Sequence, residues 1–248
     1  MKKLIAFIFL ISLFTSLSTA EKISFHAKKM SGTAGNKNNS TVLQGNAQVK
    51  TESMEIFAEY IELYGKDFRY IKARGNVKGI NTESEMDFTC ENMKYDRKTK
   101  IASLEGNVHL VDIKNDVKAD AQIIEYNQNT EIAVMQIGIN LTQKDNVCTG
   151  EHAIYKKNEQ LLELNGNPQI NQKDDTFRAQ TIFLNMDTQE ITLSGRVKGT
   201  VKTEEEKPVE KTEEQKQGEK TESEDKNTEQ KTSETRKDEK QDSQEKKQ

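Results

Sequence analysis

The chain has 248 residues, 41 acidic against 37 basic, a net charge of −4, two cysteines and no tryptophan. Between Glu21 and Lys202 the balance is 25 acidic to 24 basic residues, so the central region lacks the basic excess that nucleic-acid binding needs. Those roughly 180 residues suffice for one sizeable domain.

Residues 1–20 read as an export signal. Lys2 and Lys3 precede an apolar run from Leu4 to Phe14, and Ser18-Thr19-Ala20 supplies small residues for cleavage. The run falls short of the roughly 20 apolar residues of a membrane span. An uncleaved N-terminal anchor is the alternative. No cysteine near the cleavage site would take a lipid. The mature protein is thus expected outside the cytoplasm. Residues 21–40 are a lead-in.

From residue 41 to 202 one phrase recurs: "LQGNAQV" at Leu43, "ARGNVKG" at Ala73, "LEGNVHL" at Leu104, "LNGNPQI" at Leu164 and "LSGRVKG" at Leu193. The marker glycines are Gly45, Gly75, Gly106, Gly138, Gly166 and Gly195, with steps of 30, 31, 32, 28 and 29 residues. Gly138 is the weakest, followed by Ile139 and Asn140. A second phrase falls inside each step: "AEYIELY" from Ala58, "CENMKY" from Cys90, "ADAQIIEY" from Ala119, "GEHAIY" from Gly150 and "AQTIFL" from Ala179. A third leads into the next glycine. Each unit therefore reads as three short strands, and the repeat as a stacked β-architecture.

The apolar period is two: Ile191 and Leu193 alternate with Thr192 and Ser194, and Val117, Ala119, Ala121 and Ile123 share a face. Gly and Asn both tolerate positive φ, so the Gly-Asn pair lets a strand turn or kink while pairing continues. Tyr64, Tyr95, Tyr126 and Tyr155 are expected to form a ladder across neighbouring strands. Cys90 and Cys148 lie two units apart. At one strand spacing per unit that is roughly 9–10 Å, beyond the 7 Å or so that a disulfide spans, so two unpaired thiols are expected.

No catalytic constellation is visible. His26, His109 and His152 are scattered, and none stands at metal-ligand spacing. The reading is of a non-enzyme with no cofactor, no metal and no nucleic-acid partner. Residues 203–248 hold 16 acidic and 11 basic residues, Val209 as the only large apolar residue and no aromatic. Such a composition cannot offset its ordering entropy, so a disordered tail is expected.

The segments "LQGNAQVKTESMEIFAEYIELY", "ARGNVKGINTESEMDFTCENMKY" and "LEGNVHLVDIKNDVKADAQIIEY" resemble the OstA-like family, which includes the lipopolysaccharide-transport protein LptA and the N-terminal domain of the translocon LptD. The resemblance spans about residues 41–202. It implies an all-β fold, an open twisted β-jellyroll (β-taco) of about five 28–32-residue repeats. It also implies a periplasmic bridge that shields lipopolysaccharide or a related glycolipid. Its partners would be LptC-like and LptD-like jellyroll domains, or further copies of itself, joined end to end by strand addition. Alternation places Val77, Phe88, Leu104, Val108, Leu110, Ile123, Leu164, Phe177, Phe183 and Leu193 inward, where they would line the lipid groove. The rival reading is a closed structural β-solenoid of the envelope without lipid cargo. The tail is not part of the family pattern.

Overall fold

The computed structural model describes residues 22–33 and 40–203. The expected signal at 1–20, and all of the expected tail at 203–248 except Thr203, lie outside the described residues. The chain divides into two units, Met1–Glu204 and Glu205–Gln248, and every described residue belongs to the first.

The fold is all-β. Two short strands, β1 (Ser24–His26) and β2 (Lys29–Thr33), fall within the stretch read as a lead-in. Eight long strands follow: β3 (Ser40–Lys50), β4 (Met54–Tyr64), β5 (Tyr70–Asn81), β6 (Met86–Asp96), β7 (Ile101–Asp112), β8 (Val117–Asn127), β9 (Ile132–Gln143) and β10 (Asn146–Lys156). Six shorter ones complete the sheet: β11 (Leu161–Asn165), β12 (Gln169–Gln172), β13 (Asp175–Arg178), β14 (Thr181–Asn185), β15 (Ile191–Ser194) and β16 (Lys198–Thr200). All belong to one antiparallel sheet.

Each repeat is thus two long strands, not three short ones. The phrase before Gly-Asn and the phrase after it are one strand running through a bend. At that bend two consecutive residues take left-handed φ, as at Gly75 (77°) and Asn76 (49°). They oppose a single residue of the neighbouring strand, which is the two-against-one count of a β-bulge. Glycine is required at Gly75: a Cβ there would stand 2.8 Å from the Glu59 carboxylate.

The bends line up as a hinge, and the strand halves on either side form two walls. The division is explicit at the C-terminal end. There β11, β14 and β15 continue from one half of β10, while β12, β13 and β16 continue from the other. At the N-terminal end β2 pairs with one half of β3 and β1 with the other. Both walls turn alternate residues inward, and one apolar cluster from Leu43 to Met186 fills the space between them. The result is an open jellyroll with end strands at both extremities.

The fourth repeat bends at Ile137 (φ 67°) and Gly138 (φ 66°). Ile137 therefore occupies the seat that glycine holds elsewhere, and Gly138 the seat of Asn. In register the hinge steps are 30, 31, 31, 29 and 29 residues, more even than the glycines suggest.

Cys90 and Cys148 are free and buried, as expected. They stand in β6 and β10, four strands apart, so at about 4.8 Å per strand their separation is roughly 19 Å, twice the value inferred from one strand per unit.

Candidate functional site

The interior between the walls is lined by both halves of every long strand. Val77, Phe88, Leu104, Val108, Leu110 and Leu164 are buried in it. The Phe88 ring lies directly over Gly79, its cross-strand partner; a Cβ on Gly79 would fall 1.9 Å from the ring. Phe177 and Leu193, near the C-terminal end, are partly buried and pack against the same cluster.

Ile123 and Phe183 are not inward. Phe183 is 41% exposed on the outer face, and Ile123 is half-buried there. The cause is a change of parity at the hinge. On β7 the inward residues flanking the bend, Leu104 and Val108, are four apart, so alternation continues in phase. On β8 the corresponding residues, Ala121 and Ile124, are three apart, because the single residue opposing the bulge, Gln122, breaks the alternation by one. Gln180 does the same between Ala179 and Ile182. Period-two extrapolation across those residues lands on the wrong face. Ile124, Ile182 and Leu184 hold the inward seats instead, at 0% exposure. The acidic or amide residue in each second phrase was the signal that could have located them.

The edge opposite the hinge, where the turns of the two walls meet, is a mouth closed by polar side chains. Asp112, on one wall, receives the Tyr155 hydroxyl at 2.8 Å and the Asn115 side-chain amide at 2.7 Å on Oδ2. Lys157, on the other wall, stands 3.2 Å from Asp112 Oδ1 and also donates to the Ser84 carbonyl. To one side, Gln128 donates to Glu83 at 2.6 Å. Toward the C-terminal end, Gln189 donates to Gln143 at 3.2 Å and accepts from Asn146 at 2.5 Å. Apart from Asn115–Asp112 within one turn, these pairs link residues 43 to 73 positions apart in the chain, from Asn146–Gln189 to Ser84–Lys157.

Beneath this row stand Tyr95, Tyr126 and Tyr155, buried on one wall. Tyr64 does not join them: Leu63 takes its inward seat, and Tyr64 stacks outside on Tyr70 at 5.2 Å. Burial pushes the Tyr126 hydroxyl up to about 12. Burial, then the hydrogen bond to Asp112, push Tyr155 higher still, so it stays a donor.

Near the N-terminal end a loop with a short 3-10 turn, Lys66–Phe68, joins β4 to β5, and Phe68 packs on the apolar cluster. It is tied down from outside. Arg69 grips Asp96 through Nε at 2.8 Å and Nη2 at 2.5 Å, and Arg97 donates to the carbonyls of Asp67 and Phe68.

His109 pairs with Asp120 at 2.7 Å on the exposed surface, and His152 fills a strand position facing Asn165. Among the described residues no group of His, Cys, Asp and Glu could hold a metal ion, and no helix is long and apolar enough to cross a membrane. What the interior offers is apolar surface under a seam of polar side chains.

A family model described as "LptA/(LptD N-terminal domain) LPS transport protein" matches residues 26–132 and 89–190. Among solved structures, the chain is similar to LptH of Pseudomonas aeruginosa, described as the LptA homologous periplasmic component of the lipopolysaccharide transport device. Identity is 11%, covering 74% of this chain and 96% of that one, with a TM-score of 0.21, too low to carry an argument. No curated protein matches.

Proposed function

Because the chain belongs to the LptA/LptD N-terminal domain family of LPS transport proteins, we propose that it is a periplasmic bridge that holds the acyl chains of lipopolysaccharide, or a related glycolipid, between its two walls. The observation that supports this is the continuity of the interior. Apolar residues of both walls run without a break from Leu43 to Met186, under a mouth held by side chains and not by the main-chain ladder. Each CH₂ withdrawn from water is worth about 0.8 kcal/mol, so shielding a dozen carbons is worth on the order of 10 kcal/mol. Parting the mouth exposes polar groups that water re-solvates, whereas parting strands would break backbone bonds. The protein performs no chemistry on its cargo. Residues 1–20 direct its export, and the edges at β1 and β2 and at β15 and β16 take LptC-like and LptD-like domains, or further copies, by strand addition.

One observation favours the closed structural solenoid instead: Leu141, Ile124 and Leu184, members of the one apolar cluster, are at 0% exposure. Photocrosslinking in cells separates the two. Photoreactive residues go at Leu110 and Met135, both inward, with Phe183 and Lys118 as outward controls. Glycolipid adducts at the inward positions alone are expected of a carrier. Full incorporation without lipid adducts supports the solenoid.

A further inference from the structure

We infer that the C-terminal end of the hinge carries an anion site for a phosphomonoester, formed by Arg178, Arg196 and Lys198. The hinge repeats one arrangement. An acidic residue opposes the left-handed pair, as Glu59, Glu91 and Glu151 do, and the Asn of the pair donates back to it: Asn76 to Glu59 at 2.8 Å, Asn107 to Glu91 at 2.7 Å. In the last repeat Gln180 takes the place of the acid, as Gln122 does in an earlier one, and Arg196 alone among the bends replaces the Asn with a cation, still in left-handed conformation at φ 50°. The fold does not need this exchange, since Asn serves the same bend at four earlier positions, Asn46, Asn76, Asn107 and Asn167.

The second wall adds to it. Arg178 on β13 stands directly opposite Lys198 on β16. Like charges in that relation destabilise a sheet unless a counter-charge lies between them. Arg178, Arg196 and Lys198 line a cavity of about 470 Å³ together with Thr149, Asn167 and Gln169. No carboxylate lines it, and among the described residues none of the three cations is ion-paired. Gln169 Oε1 accepts from Arg178 Nε at 2.7 Å, which orients the guanidinium and leaves its terminal nitrogens available. Two guanidiniums and an ammonium around a concave, amide-lined space match the three oxygens and double charge of a phosphomonoester.

The phosphate can be free or borne on a lipid headgroup. The second source rests on the carrier reading; the first does not. The test titrates full-length protein with inorganic phosphate, and separately with detergent micelles containing or lacking a phosphomonoester lipid, by calorimetry. Arg196→Asn restores the residue of the other repeats and keeps the bend, and Arg178→Gln removes the second cation; circular dichroism checks both folds. Saturable one-to-one binding, weakened at least tenfold by either variant, is the expected result. Preference for the phospholipid micelles over free phosphate would assign the headgroup. Absence of saturable binding overturns the site. So does binding that both variants leave unchanged. Because inorganic phosphate reports the site alone, its success or failure is independent of lipid adducts in the interior.

Discussion

Lys157 Nζ and Asp112 Oδ1 stand 3.2 Å apart across the mouth, each from a different wall, with side chains 4% and 0% exposed. A charge pair withdrawn from water to that degree does not tolerate loss of one partner. Lys157→Met leaves the Asp112 carboxylate buried beside Tyr155 and Asn115 without its cation, and is expected to cost about 3–5 kcal/mol. Adding Asp112→Asn removes the stranded charge, keeps an acceptor for Tyr155, and should recover at least half of the loss. Urea unfolding of the two single variants and the double variant measures this. Additive losses in the double variant would mean that the two residues are not energetically coupled.

Ile137 is a β-branched residue in left-handed conformation, 52% exposed, in a seat that glycine holds in every other repeat. The left-handed region costs an L-residue roughly 1–2 kcal/mol, and Ile137 recovers little of that through burial. Ile137→Gly is therefore expected to stabilise the protein by about 1 kcal/mol. The reverse holds at Gly75, where alanine meets both φ 77° and the Glu59 carboxylate; Gly75→Ala should destabilise by at least about 1 kcal/mol. Thermal melts of the two variants should shift in opposite directions.

The hinge was legible because Gly-Asn is chemically distinctive and recurs. Strand type was legible from alternation, and the buried seats of Val77, Leu104, Val108, Leu110 and Leu164 followed from it. The parity change at Gln122 and Gln180 was not, since one residue opposing a bulge leaves no apolar signature, and so Ile123 and Phe183 were turned the wrong way. The mouth was illegible for another reason. Asp112 and Lys157 meet only because the walls fold together, and each alone reads as an ordinary charged turn residue.

Asp96 carries a pH dependence. The hydrogen bond from Arg69, with further ones from the backbone of Lys98 and Thr99, holds its carboxyl well below the usual carboxylate range against the opposing effect of burial. A lowered folded-state value means that the stabilisation is present in full above the unfolded value, about 3.9, and is lost as pH falls through the folded one. Urea midpoints measured between about pH 6 and pH 2 should therefore decline on acidification, and Asp96→Asn should flatten part of that decline. Because the pair pins the Lys66–Phe68 loop, the same variant should raise amide exchange in that loop at neutral pH.

Cys90 and Cys148 report on the walls themselves. Both are buried, and burial pushes each thiol up to about 12. At pH 8 roughly one molecule in ten thousand would carry the reactive thiolate at either site, even before access is considered. In the native protein, reaction with an aromatic disulfide reagent is expected to be slow and to accelerate to two thiols per chain in urea. The urea dependence of the native rate is the informative quantity. A rate that rises with denaturant as steeply as global unfolding means that the walls part only when the sheet is lost, which favours a closed solenoid. A rate insensitive to low urea, and raised by Lys157→Met, means that the walls part at the mouth while the hinge and strands hold. That is the motion a carrier of acyl chains requires.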